Sequence, residues 1–252
     1  MNVRKIKRLF ENGNVCVTGL RGCGKDMLTA NIIARRGGIY VSNIDYKCKR
    51  KGLKKAQWLK LNLPKFDLKN TYDNFISGDV IAYDYPYPEK SDIYVSDCGV
   101  YFPSQYCNEL NKKYQSFPYF QALSRHLGDC NFHFNAQNLN RVWDKIREQS
   151  DTYIRCNWCR VLPFGWVFQK VTVYDTYDAC LKRVKPFKAL KPPFMARSEA
   201  RAMYITKNVE LKRHFEEING SVKSYLLIYK NKSKYNTRFF KTLLKGVDNE
   251  ED

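Results

Sequence analysis

The chain has 252 residues, 44% of them hydrophobic, which suits one large domain or a domain with an appendage. It contains no uninterrupted apolar run of about 18 residues, so no membrane span is expected, and its basic N-terminal stretch lacks the apolar core of a signal peptide. A net charge of +19 favours a polyanionic partner, nucleic acid first and an anionic membrane second, and nine scattered cysteines suit a reducing, cytoplasmic setting rather than a disulfide framework.

The first informative stretch is Val15–Thr29, V-C-V-T-G-L-R-G-C-G-K-D-M-L-T. A short apolar strand leads into a loop that fits G-x-x-x-x-G-K. A helix is expected from Asp26 to Arg36, stopping at Gly37 and Gly38. Strand, glycine loop and helix in this order form a phosphate-binding loop. The glycines let successive N–H groups point inward, and the helix N-terminus adds partial positive charge. Gly19, Gly22, Cys23, Gly24, Lys25, Asp26 and Met27 are therefore the expected nucleotide-binding segment, with Lys25 reaching the β- and γ-phosphates of ATP. Asp26 stands where Ser or Thr usually binds Mg²⁺. Its carboxylate is also a hard-oxygen ligand, and Thr29 offers a hydroxyl three residues on. The residues leave both alternatives open.

Gly38–Asn43 reads as the next strand. Lys47–Lys60 follows with seven basic and no acidic residues, and Asp79–Lys90 reads as a Tyr/Pro-rich surface loop. Ile93–Asp97, I-Y-V-S-D, is an apolar strand ending in an acid, the element that closes a Mg²⁺ shell beside a phosphate loop. The next residue is Cys98, which does not replace a carboxylate base. Either Glu109 or another acid serves, or hydrolysis is slow and partner-dependent. Cys130–Asn135 reads as a further strand with Gln137 just past it, placed to touch a γ-phosphate or its attacking water. Asn140–Gln149 reads as an amphipathic helix. Arg125, Arg141 and Arg147 are candidates for charge stabilisation across a subunit boundary. Two further clusters, His126 with Cys130 and His133, and Cys156 with Cys159, fit no full zinc pattern.

The blocks Gly19–Asp26, Ser96–Ser104 and Ser124–Arg147 together resemble the Zot-type (zonula occludens toxin) proteins of the FtsK–HerA superfamily of DNA-pumping ATPases. The likeness covers roughly residues 10–180. It implies a homo-oligomeric ring, ATP and Mg²⁺ as cofactors, and DNA as the moving partner. On this likeness Lys25 binds phosphate, Asp97 organises Mg²⁺ and Gln137 is the polar sensor. Arg125 falls in the family's R-H pair and Arg147 in its closing I-R. Asp26 replaces Ser/Thr, Cys98 replaces Glu, and no membrane helix follows the core. That last departure points to a packaging motor with a capsid or portal partner, in host cytoplasm if phage-encoded.

The expected fold is α/β: a RecA-like P-loop NTPase core over residues 1–185, with a mostly parallel sheet, and a small basic C-terminal extension over 186–252. Residues 165–175 alternate like late strands, and a helix is expected from Ser198, as N-cap, to about Ile218. Residues 181–245 hold 17 Lys/Arg against four Glu. ATP-driven DNA translocation is the leading reading. A P-loop kinase and a non-enzymatic DNA-binding protein on a degenerate ATPase fold are the alternatives.

Overall fold

The computed structural model describes residues 2–43, 56–61, 87–106, 108, 121, 129–194 and 197–230. Its strands are β1 (Val15–Thr18), β2 (Gly38–Ser42), β3 (Ala56–Lys60), β4 (Ser91–Val95), β5 (Phe132–Ala136), β6 (Thr152–Val161), β7 (Trp166–Tyr174) and β8 (Val222–Lys230). The helices are α1 (Asn2–Asn12), α2 (Lys25–Arg36), α3 (Cys98–Tyr101), α4 (Asp144–Arg147), α5 (Tyr177–Leu181) and α6 (Ser198–Asn219).

All eight strands join one sheet in the order β3-β2-β4-β5-β1-β6-β7-β8. The first six in that order are mutually parallel, and β7 and β8 add antiparallel at the end. This is the mostly parallel α/β architecture expected from the alternating strand and helix signals. The order has a consequence for chemistry. Acid-ended β4 is not beside β1; β5 runs between them. Whatever stands at the end of β5 therefore lies between the glycine loop and the acid, at the carboxyl edge where α/β sheets bind ligands.

The two faces of β1 divide the core. Val15 and Val17 pack with Ile6 and Phe10 of α1 and Leu28 and Ile32 of α2. Cys16 points the other way, into a cluster with Phe102, Trp143, Ile146 and Cys180. Alternation with a period of two requires this split, and burial on both faces explains why β1 reads as a continuous apolar run. Helix α1 shows the matching logic, with Ile6 and Phe10 one turn apart and fully buried while Arg4, Lys5 and Arg8 face water.

Three local readings shift. The expected helix over 140–149 is a 3₁₀ turn, Leu139–Arg141, followed by the single turn α4. The main chain is drawn away between them: Val142 bridges Pro103, and Trp143 N donates to Phe102 O at 2.8 Å. Burying the Trp143 ring completely outweighs helix propensity there. Ser198 is the first residue of α6, whose N-cap is Arg197 without a side-chain cap bond. Residues 222–230, assigned by sequence to the basic extension, form β8, and Leu227 and Tyr229 belong to the core around the loop strand. Lys47–Lys55 and the chain beyond Lys230 lie outside the described residues, as do Glu109 and His126.

Buried polar side chains tie the amino ends of the strands. Asn14 Oδ1 accepts from Phe132 N at 2.8 Å, and its Nδ2 donates to Gln149 O at 3.3 Å. Asp92 accepts from Arg36 Nη1 and, at 2.8 Å, from Asn131 N. Arg36 also donates to Phe10 O at 2.8 Å, so α1, α2, β4 and β5 meet at one ion pair. His133 packs its ring 4.8 Å from that of Phe10, and burial holds it neutral by lowering its pKa. Asp92→Ala strands the guanidinium and the Asn131 amide. It is expected to cost about 3 kcal/mol, at the low end for a broken buried pair because Arg36 keeps some solvent. Denaturant unfolding against the wild type measures this, and an unchanged midpoint would remove Asp92 as the tie.

Candidate phosphate-binding site

The loop between β1 and α2 takes its shape from its glycines and from the strand behind it. Gly24 caps α2 at φ 82°, and Leu28 N donates to Gly24 O at 2.9 Å to open the helix. A Cβ at Gly24 would stand 2.8 Å from the Cys159 side chain, and one at Gly19 would stand 2.4 Å from Cys156 O. The loop is thus flush against β6, and only glycine permits both the backbone angle and the approach.

Gln169 on β7 supports the loop from beneath. It is fully buried, and its Nε2 donates to Cys23 O and Gly24 O, each at 3.0 Å. Its Oε1 accepts from Tyr229 OH on β8 at 2.8 Å. Sequence reasoning missed Gln169, although a signal existed. Val167, Val171 and Val173 mark the inward face of β7, and Gln169 interrupts that apolar series at an inward position. A buried amide at an apolar register needs partners, and here the partners are loop carbonyls.

Lys25 is buried and folds back on its own loop, Nζ donating to Gly19 O at 3.0 Å and Leu20 O at 3.2 Å. Asp26 reaches the other way. Its Oδ1 accepts from Ser96 Oγ at 3.0 Å and from Asn135 Nδ2 at 2.7 Å, beyond β4 and on β5. Asn135 also bonds Tyr94 OH, and its Oδ1 accepts from Thr29 Oγ1 at 3.2 Å. The Thr29 hydroxyl is fully buried and donates inward, so Thr29 stands behind the acids rather than among them. Ser96 is held in turn by the Asn43 side chain, whose Nδ2 donates to Ser96 O and whose Oδ1 accepts from Ser96 N, each at 2.9 Å. Asn43 carries no motif that marks it in the sequence, and Ser96 and Asn135 lie inside stretches already noted, but the spacing gives neither a role.

Asp97 sits just past β4 in the left-handed region, at φ 47° and ψ 49°. Partial burial raises its carboxyl pKa first, and the facing charge of Asp26 raises it further; Lys25 and a hydrogen bond from Gln137 oppose them. Lys25, Asp26, Asp97 and Gln137 are therefore neighbours, drawn from three segments of the chain. Two carboxylates that repel each other beside a lysine suit a hard divalent cation, and Mg²⁺ commonly uses one or two carboxylates plus phosphate oxygens. Among the described residues no group of three or more His, Cys, Asp or Glu forms a metal cage.

The remaining candidates lie elsewhere. Met27 is half-buried against the loop-side core. Cys98 is fully buried and its thiol pKa is pushed up by burial, so it offers no base beside Asp97. Arg147 lies 4.9 Å over the Tyr177 ring, pairs with Glu148 at 3.6 Å, and accepts Tyr153 OH at its carbonyl; the structure does not bring it to the loop. Arg141 backs onto Gly99, two residues past Asp97. Arg125 lies outside the described residues.

Gln169→Leu keeps side-chain bulk but removes the loop's support and leaves Tyr229 OH unpaired. It is expected to cost about 2 kcal/mol of stability and to weaken nucleotide binding with secondary structure intact, as calorimetry and circular dichroism would show. Asp97 supplies a pH test. A proton held above the ordinary carboxylate range competes with Mg²⁺, so Mg²⁺-dependent nucleotide affinity is full above that raised pKa and falls as pH drops through it. Asp97→Asn should flatten this step, and a step that persists in the variant would place the titrating group elsewhere.

No protein-family model matches the chain, and no curated protein does. Among solved structures it is similar to the N-terminal domain of zonular occludens toxin from Neisseria meningitidis, with 12% identity, a TM-score of 0.41, and coverage of 91% of this chain and 97% of that one. It is also similar to the genome packaging NTPase B204 of Sulfolobus turreted icosahedral virus 2 in complex with AMP, at 11% identity, TM-score 0.36, and 88% and 93% coverage. EssC (ATPases 2 and 3) from Geobacillus thermodenitrificans aligns at 11% identity and TM-score 0.39 over 84% of this chain and 46% of that one. Overlaps with TM-scores under 0.5 carry no functional argument, and the chemistry of this site stands on its own geometry.

Proposed function

We propose that this chain is a P-loop ATPase that binds ATP and Mg²⁺ at the Gly19–Asp26 loop and uses hydrolysis to move DNA, in a ring of identical subunits serving viral genome packaging. The observation that carries the reading is the convergence of Lys25, Asp26, Asp97 and Gln137 at the carboxyl ends of β1, β4 and β5. On nucleotide binding, Lys25 exchanges the Gly19 and Leu20 carbonyls for phosphate oxygens. The loop N–H groups and the α2 N-terminus complete the phosphate cradle. Asp97 and Asp26 would hold a Mg²⁺ ion, whose charge would offset that of the transferring phosphoryl group. Gln137, exposed just past the end of β5 and beside Asp97, orients the attacking water. Arg125, or Arg147 after rearrangement, supplies the positive charge from a neighbouring subunit.

The DNA part of the reading rests on charge. Lys182, Arg183, Lys185, Lys188 and Lys191 are all exposed in the segment between α5 and α6. Two cations of α6 are engaged within the helix, Lys212 with Glu216 at 3.7 Å and Arg213 with Glu217 at 3.4 Å. No helix among the described residues is long and apolar enough to cross a membrane.

Three measurements test this. ATP turnover with and without double-stranded DNA should show stimulation by DNA, and Lys25→Ala should abolish ATP binding while the fold persists. Turnover that ignores DNA would favour a kinase, and ATP binding without turnover a non-enzymatic binding protein. DNA affinity should fall with salt at a log–log slope of about −5 if roughly six phosphates are contacted, without sequence preference. A slope unchanged after Lys182, Arg183, Lys185, Lys188 and Lys191, all exposed and outside the sheet, are changed to glutamine would move the DNA contact elsewhere.

A further inference from the structure

Three cysteines surround the glycine loop, and the ATPase reading uses none of them. Cys23 lies within the loop, and Cys156 and Cys159 lie on β6 behind it. Cys156 and Cys159 stand three positions apart across a bulge, yet both pack with the loop-side core. Cys156 and Cys159 adjoin the loop at two points: the Cys156 carbonyl closes the space at Gly19, where the Cys23 sulfur also lies 2.7 Å from a Cβ position, and the Cys159 sulfur closes the space at Gly24. Gln169 Nε2 binds Cys23 O at 3.0 Å and Cys156 Sγ at 3.4 Å, fixing the two residues against one amide. Cys23 and Cys156 lie in the same buried cluster on the loop side of the sheet. All three are free thiols.

We infer that Cys23 is a covalent modification site for peroxides, and that its oxidation ends in a Cys23–Cys156 disulfide that holds the loop against β6 and shuts out nucleotide. The inference deepens the ATPase reading and rests on it for the consequence, but not for the bond. Cys23 is the attacking thiol. The neighbouring Cys156 and the charge of Lys25 favour its thiolate, bringing its pKa down to about 7, whereas Cys156 is pushed up by Cys23 beside it and by burial. The Cys23 thiolate attacks a peroxide oxygen, the O–O bond breaks, and the leaving hydroxide or alkoxide takes up a proton. Cys23 becomes a sulfenic acid. The Cys156 sulfur then attacks the Cys23 sulfur. The S–S bond forms, the S–OH bond breaks, and hydroxide leaves as water with the Cys156 proton. Two thiols lose two electrons, and the peroxide is reduced to two waters, or to an alcohol and a water. A thiol reductant reverses the linkage. The loop it traps is the one with Lys25 turned onto Gly19 and Leu20, the arrangement that must open for phosphate.

The full-length reduced protein, treated with a small excess of hydrogen peroxide, tests both parts. Peptide mapping without reduction should recover Cys23 joined to Cys156, and ATP affinity should fall by about tenfold or more and return with dithiothreitol. Cys159→Ser should still form the linkage, and Cys156→Ser should not. A Cys156–Cys159 or Cys23–Cys159 linkage in the wild type, or no disulfide containing Cys23, would overturn the inference. So would unchanged ATP affinity in protein shown to carry the Cys23–Cys156 bond. If the reduced protein binds no ATP, the nucleotide reading fails, while the linkage is judged by the peptide map alone.

Discussion

The Asp26 carboxylate is the point on which the site's geometry depends. A serine or threonine at the first turn of α2 would present a short hydroxyl to a metal. Aspartate is longer, and it spans to Ser96 beyond β4 and to Asn135 on β5. Two separate pieces of the carboxyl edge are thereby locked to one helix. The same carboxylate faces Asp97, so the tie that orders the edge also creates a concentration of negative charge beside a phosphate cradle. Two carboxylates beside the single lysine Lys25 leave net negative charge there, which a divalent cation would offset.

Much of the fold was legible because its signals were local or periodic. The glycine loop, the helix after it and the strand ending before Asp97 announce themselves in consecutive residues. Their assembly followed from α/β connectivity, and the convergence of Lys25, Asp97 and Gln137 from spacing and resemblance. What stayed hidden was long-range. Asn135 reads as one more strand residue, and only its position between β4 and β1 makes it the partner of Asp26, Tyr94 and Thr29. Gln169 lies far from the loop in sequence and touches it through a strand pairing no local pattern encodes. The break in the expected helix at Val142 has the same origin, since Phe102 and Pro103 compete for its backbone.

The role of Cys156 and Cys159 is a related case. As a C-x-x-C pair they invite a metal or redox reading, but a strand bulge and the neighbouring loop change their surroundings. Cys156 meets Cys23 rather than a second pair, and Cys159 fills the space that Gly24 leaves open. Their chemistry is set by what lies across β1, not by their spacing along β6.

The support of Gln169 by Tyr229 has a bearing on how the protein is made. The loop leaves a ribosome well before Tyr229, which belongs to β8, more than 200 residues later. Until β8 has paired with β7, the Gln169 amide lacks its hydroxyl donor and β7 is an open sheet edge. The nascent polypeptide therefore carries a recognisable phosphate loop long before it carries a finished one. The support beneath the loop is therefore completed only by the late, non-local β7–β8 pairing.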